Sequence, residues 1–186
     1  MGVFIGIGLI ILLIVWLIAT NNKFVTLKKN RENAFADIEV QLKQRHDLIP
    51  QLISSVKGDM EHEANTLEIL SQAYTTAIQA DDINIKIQAE QYLSSALSGL
   101  RVVAEYYPEL NANTNFLQLQ NRISDIENKL EALRRLFNSA TQELNTAIES
   151  VPSNIVAGMQ GMTKQPLFEL DTEQSTQLGT EPEIMF

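Results

Sequence analysis

Residues Val3–Ala19 read VFIGIGLIILLIVWLIA, and no other stretch limits the possible folds of the chain so tightly. The run holds no charge and no proline, and thirteen of its seventeen residues are Val, Ile, Leu or Phe. Each of those gains about 0.3–0.6 kcal/mol on entering a bilayer, so the run gains about 4–8 kcal/mol in all. With Gly2 and Thr20 it rises about 28 Å as a helix, close to the ~30 Å hydrocarbon thickness of a membrane. Residues 1–21 are expected to form one transmembrane anchor, with Val3, Phe4, Ile7, Leu9, Ile11, Leu13, Val15, Trp16 and Ile18 as its membrane-spanning residues.

The flanks separate an anchor from a removable signal. Only Met1-Gly2 precedes the run, without Lys or Arg, and Leu17-Ile18-Ala19-Thr20 lacks the small-x-small pattern of a cleavage site. A retained anchor is expected. Lys23, Lys28, Lys29 and Arg31 follow the run closely, and basic flanks stay on the cytoplasmic side. The N-terminus is therefore expected outside, with the rest of the chain in the cytoplasm. Gly2 and Gly6 form a GxxxG pair, read here as ordinary glycine usage in a membrane helix rather than as a packing motif.

Removing the anchor leaves about 165 residues, enough for one domain with its own core. The whole chain carries 14 Lys+Arg against 23 Asp+Glu, a net charge of −9, which disfavours nucleic acid as a partner. Cysteine is absent, so disulfides, thiolate metal sites and a cysteine nucleophile are excluded.

Past the anchor the spacing is helical throughout. Phe24, Leu27, Ala34, Phe35, Ile38 and Leu42 recur at three- and four-residue steps, and nothing separates them from the apolar run. Arg31 and Arg45 fall in register with that seam, which directs them either to Glu partners across a bundle or into an interface. Asp47-Leu48-Ile49-Pro50 reads as a break and restart, with Asp47 as a cap and Pro50 in a first turn. The other reading is one long helix kinked at Pro50. His46 is expected to help close the helix end there. Leu52, Ile53, Val56, Met60, Leu67, Leu70, Tyr74 and Ile78 carry a second stripe to about Gln79, across Gly58.

Asp81 or Asp82 can cap a third helix bearing Ile85, Ala89, Leu93, Ala96, Leu97, Leu100 and Val103, ended by Tyr107-Pro108. Asn113 or Thr114 can cap the fourth. There Phe116, Leu119, Ile123, Ile126, Leu130, Leu133, Phe137, Ala140, Leu144, Ala147 and Val151 alternate three and four steps, a heptad seam about 55 Å long. The fold expected is all-α: a transmembrane helix continuous with an antiparallel four-helix bundle over residues 22–151. Three reversals return the fourth helix to the membrane. Residues 152–186 form an apolar and acidic tail, in which Leu167, Phe168, Ile184, Met185 and Phe186 are candidates for docking on the bundle, the membrane or another subunit.

Chemistry is hard to place on this chain. A bundle di-iron centre needs two Glu-x-x-His motifs, and the chain has two histidines and no such motif. Asp59, Glu61, His62 and Glu63 read as a solvated helix face. Gly158-x-x-Gly161 lacks the lysine of a phosphate loop, and Ser54-Ser55 has no base at a catalytic spacing. No cofactor and no enzymatic activity are expected.

The segment Lys29–Leu52, KNRENAFADIEVQLKQRHDLIPQL, with Arg31, Asn33, Arg45, His46, Asp47 and Pro50, resembles the signature of the LemA family. Val56-Lys57-Gly58, Tyr107-Pro108-Glu109-Leu110, Asn115–Gln120, Arg134-Arg135, Phe137-Asn138 and Pro152-Ser153-Asn154 extend the resemblance over nearly the whole chain. The departures lie at Met159, Met162 and Leu167, where the family often carries aromatics. The resemblance implies a single-span protein of the bacterial inner (cytoplasmic) membrane with a helical cytoplasmic domain and no established enzymatic activity. Some relatives are associated with magnetosome membranes and others with genes of membrane stress proteases. The function expected is a membrane-anchored scaffold that self-associates and organises the bilayer or a membrane protein. The alternative is an adaptor or regulator of a membrane protease or sensor, docking through its tail.

Overall fold

The computed structural model describes residues 1–58, 60 and 63–168. Among these the chain is helical, with no strand. In chain order the helices are α1 (Gly2–Val56), α2 (Ala64–Gln79), α3 (Ile83–Ala104), α4 (Pro108–Ala112), α5 (Thr114–Glu149) and α6 (Ser153–Met159).

The apolar run and the first bundle helix are one uninterrupted α1. Its buried residues, Phe24, Leu27, Arg31, Phe35, Ile38, Leu42, Arg45, Ile49, Leu52 and Val56, follow at three- and four-residue steps, alternating strictly from Phe35 onward after two consecutive fours at Leu27–Arg31–Phe35. The break and restart read at Asp47–Pro50 does not occur; the other reading, one long helix through Pro50, is the one found. Pro50 sits inside the helix with its ring on the exposed side, and Asp47 caps nothing. A mid-helix proline costs about 3 kcal/mol through the lost hydrogen bond and ring clash. Continuing the helix keeps Ile49, Leu52 and Val56 on the seam, and burying each such side chain contributes about 1.5–3 kcal/mol. The sum favours continuation. The chain reverses instead around Lys57-Gly58, and α2 begins only at Ala64. There Tyr107 Oη donates to Glu63 Oε1 at 3.3 Å, tying the reversal to the far end of α3.

Two helix starts follow the sequence closely. Asp82 accepts from the Asn84 and Ile85 N–H groups, and Asn113 from those of Asn115 and Phe116. The α3 stripe holds at Ala89, Leu93, Ala96 and Leu100 and departs at its start, where Ile87 is buried and Ile85 exposed, and Glu90 shares the inward face. Ile78 also points outward. α5 ends at Glu149, and Val151 falls outside the seam, 80 % exposed. The Tyr107–Asn111 terminator contains the short α4, with Pro108 at its first turn.

α1 and α5 run antiparallel as the principal pair, and α2 and α3 form a hairpin against their distal part. The core is layered along them. The distal layer joins Ile49, Leu52 and Val56 to Leu70, Leu93, Leu100 and Phe116. The middle layer holds Phe35, Ile38, Ile87, Leu130, Phe137 and Phe168. The layer beside the apolar run holds Phe24, Leu27, Leu144, Ala147, Val156 and Ala157, with Trp16 and Leu17 against it. The end of α5 is thus brought back to the apolar run, as three reversals require.

Because Pro50 is exposed and opposes the helix that contains it, Pro50→Ala should stabilise the bundle by about 1–3 kcal/mol with helix content unchanged. Thermal unfolding of the full chain in detergent, followed by circular dichroism, checks this; a loss of stability would mean that the proline sets a bend on which the packing depends.

Candidate functional site

Three constellations in the described residues go beyond apolar packing. The first is a buried ionic cluster at mid-bundle. Arg45 stands where the α1 seam calls for an apolar residue, and its side chain is wholly buried. Its guanidinium forms ion pairs with Glu90 from α3 and Glu127 from α5, and donates to Ser94 Oγ at 2.8 Å. His46 Nε2 lies 2.8 Å from Glu90 Oε1; a carboxylate only accepts, so the ring nitrogen carries the proton of this bond. The His46 ring meets Tyr74 edge-on at 6.0 Å, and Arg134 approaches Glu127 at 3.6 Å. Burial pushes the Glu90 carboxyl upward. The His46 hydrogen bond and the Arg45 charge outweigh it and hold Glu90 below the ordinary carboxylate range.

A cleft of about 780 Å³ between α3 and α5 opens onto this cluster, with Ser94, Ser98, Gln120, Ser124 and Glu127 among its lining. Its chemistry is that of a structural clamp. The Ser94 hydroxyl already accepts from Arg45, and the nearby Glu127 is engaged by the same guanidinium. A carboxylate held by an arginine is a poor general base, so this serine has no activating partner. Among the described residues no three His, Asp or Glu side chains converge as a metal site would require. Asp59, Glu61 and His62 lie outside the described residues.

The second constellation is a clamp on an extended segment. Past α6 the chain runs without helix from Met162 to Phe168, alongside α5. Asn145 accepts from the Gln165 N–H at 2.7 Å and donates to the Gln165 carbonyl at 2.9 Å. Asn138 accepts from the Phe168 N–H and donates to the Phe168 carbonyl, both at 2.9 Å. The spacing explains the match. Seven helical residues advance about 10.5 Å, and three extended residues advance about 10 Å. The Phe168 ring then seats against Phe35 at 6.5 Å and Phe137 at 5.5 Å, with the Arg134 guanidinium 5.4 Å from its centroid. Arg31 supports the same pocket, donating to Asn84 Oδ1 at 2.7 Å and lying 4.9 Å from the Phe137 centroid. Burial lowers its pKa, against the pull of Asp82 and Glu32, and the guanidinium remains charged.

The third is the apolar run. Val3, Phe4, Ile7, Leu9, Ile11, Leu13, Val15 and Ile18 are all exposed, and Trp16 is half-covered by the base of the bundle. The segment is long and apolar enough to cross a bilayer, and none of its apolar window is buried within the protein.

Of the signature residues, Arg31, Arg45 and His46 face the interior, whereas Asn33, Asp47 and Pro50 face outward. His46 lies within α1 and closes no helix end. Of the tail candidates, Phe168 is buried in its own bundle and Leu167 is 38 % exposed; Ile184, Met185 and Phe186 lie outside the described residues. Sequence reasoning did not single out Glu90, Asn138 or Asn145. Glu90 was discoverable as the one charge in the α3 stripe, and the asparagines as polar residues one heptad apart beside the α5 seam.

These features define a class: a helical bundle led by one helix with the length and polarity of a membrane span, its buried polar groups devoted to fixing helices and tail. The model of the LemA family matches residues 34–186, and the chain belongs to that family. Among curated relatives it is similar to Protein LemA of Metamycoplasma hominis, 22% identical over 164 residues that cover 88% of this chain and 75% of the relative.

Two outcomes follow from the polar constellations. Glu90→Gln should cost about 2–3 kcal/mol at neutral pH by leaving Glu127 as the one carboxylate paired with the buried Arg45 among those described. Glu90 is held below the ordinary carboxylate value of about 4.3, so the unfolded chain binds more protons as pH falls through that range. Its contribution is full at neutral pH and lost as pH drops through the folded value. The stability gap between wild type and Glu90→Gln, measured by urea unfolding at several pH values, should therefore narrow towards acid pH. Separately, Asn138→Ala and Asn145→Ala should each cost about 1–3 kcal/mol and raise amide exchange across residues 163–168, with α5 still protected. Unchanged exchange there would leave the asparagine pairs without a holding role.

Proposed function

We propose that this chain is a non-enzymatic, membrane-anchored scaffold that self-associates and organises the bilayer or a membrane protein. In this reading it is a single-pass protein of the bacterial cytoplasmic membrane, with its N-terminus outside and the bundle in the cytoplasm. The observation that carries it is the continuity of α1 from the apolar run into the bundle seam. A flexible linker would tether the bundle; an unbroken helix holds it at one angle and presents its side faces to neighbours in one orientation. Preorganisation of that kind lowers the ordering cost of lateral association. The basic residues after the apolar run support the orientation, and the net charge of −9 supports protein and lipid partners over nucleic acid.

A second reading, an adaptor for a membrane protease or sensor, draws support from Leu167, which stands outward beside the clamped Phe168 and offers an apolar contact from the tail.

Mass photometry of the full chain in mild detergent and in nanodiscs tests the scaffold. Oligomers larger than the monomer are expected, and monomers alone at micromolar concentration would overturn self-association. Deletion of residues 171–186 separates the two readings: a shift in oligomer size fits the scaffold, and loss of partner capture at constant oligomer size fits the adaptor.

A further inference from the structure

The base of the bundle carries an apolar surface that the anchor does not use. α6 buries Val156 and Ala157 against Phe24, Leu144 and Ala147, and Trp16 and Leu17 of the apolar run pack on the same layer. Gln160 Nε2 donates to Asn21 Oδ1 at 2.9 Å, which fixes the level of α6 along α1. The helix is closed firmly. Gly161 adopts φ +63°, the Gly161 N–H donates to the Gly158 carbonyl at 3.1 Å, and the Met162 N–H donates to the Ala157 carbonyl at 2.9 Å. That pairing is a Schellman motif, and Met162 makes its accompanying apolar contact.

With Val156 and Ala157 inward, the opposite face of this turn is left outward. Ile155 and Met159 lie four residues apart on α6 and are 58 % and 78 % exposed, and Val151, in the turn that leads into α6, is 80 % exposed. Residues 150–163 contain no charged side chain. An apolar stripe of this kind at the level of Trp16–Asn21 stands where a bilayer has its interface, since Trp marks that depth and Asn21-Asn22-Lys23 mark the exit into water.

We propose that α6 is a second membrane contact, an interfacial foot that lays Val151, Ile155 and Met159 into the headgroup–acyl boundary of the bilayer that holds the apolar run. This rests on the anchor reading above. The occupant is lipid rather than a second copy because α6 is fastened to α1 at Trp16–Asn21, the end of an apolar run none of whose span window is buried in the protein. Insertion would be driven by apolar burial alone, so it should be insensitive to salt, unlike the attachment of a basic helix. The foot and the anchor together fix the tilt of the bundle, which a single span leaves to packing.

The chain lacks cysteine, so single cysteines report without interference. Ile155→Cys and Met159→Cys, both at exposed positions, are spin-labelled in the full chain and reconstituted in phosphatidylcholine nanodiscs holding one copy each. Leu9→Cys serves as the span control and Asn111→Cys as the aqueous control. Oxygen accessibility relative to a water-soluble nickel chelate is expected to be several-fold higher at 155 and 159 than at 111, lower than at 9, and unchanged by added salt. Aqueous values at 155 and 159 with a lipid value at 9 would overturn the foot and leave the anchor standing. Aqueous values at all four sites would overturn both. In liposomes, dipolar broadening at 155 or 159 that disappears on dilution with unlabelled protein would also overturn the foot, by assigning the stripe to a second copy.

Discussion

α1 and α5 present more apolar seam than the α2–α3 hairpin is long enough to cover. The bundle part of α1, residues 22–56, and the 36-residue α5 each extend about 53 Å, whereas α2 and α3 extend about 24 and 33 Å. The hairpin therefore ends near Ile83 and Ile87, level with Phe35 and Ile38, and leaves Phe24, Leu27 and Leu144 uncovered. Exposed seam at that length would be an aggregation surface. The chain covers it with its own continuation: α6 takes the layer beside the anchor, and the extended segment to Phe168 takes the layer above. Residues 153–168 belong to the core of the bundle as much as α2 does, although nothing in their spacing marks them as helix partners.

The ionic cluster answers a different problem, that of register. Two heptad seams can slide by one repeat, about 10.5 Å, and still bury apolar residues against apolar residues. Arg45 removes that freedom. Its buried fork finds Glu90 on α3 and Glu127 on α5 together in one alignment only, and any slip leaves a charge unpaired in the core. The net energy of such a pair against an apolar substitute is small, but the cost of misalignment is large. The three helices are thereby pinned at one level, with His46 bonded to Glu90 and Ser94 to Arg45, while the buried Arg45 Nε is left without a hydrogen-bond partner.

What the sequence made legible follows the same division. The seams of α1 and α5, the caps at Asp82 and Asn113, and the return of α5 to the anchor could be read because they depend on periodicity and on local hydrogen bonding. Pro50 left two readings open, a restart or one continuous helix, because its cost is local, whereas the gain that decides for the continuous helix, the burial of Ile49, Leu52 and Val56, is tertiary. The inward charge at Arg45 was visible as an exception to the heptad, and Glu90 as the one charge in the α3 stripe, but nothing in either pattern alone pairs the two across the bundle. The asparagine clamp was the least legible of all. Asn138 and Asn145 read main-chain atoms, so the segment they hold need carry no matching motif; only Phe168, which fills a pocket, leaves a trace in composition.

Anchor, base and clamp also act on one another through their positions. α6 is held to α1 at Asn21 and Trp16, and the segment that follows it is held to α5 at Asn145 and Asn138. The route from the apolar run to the middle of the bundle thus runs twice, once through the backbone of α1 and once through α6 and the clamped segment. A hinge at the membrane boundary would have to break both. Rotation of the bundle about the apolar run would shear Gln160 from Asn21 and pull Val156 and Ala157 away from Trp16 and Leu17. In the scaffold reading proposed above, this would place the specificity of assembly in the side faces of α1, α2, α3 and α5, whose orientation relative to the apolar run is fixed by the fold.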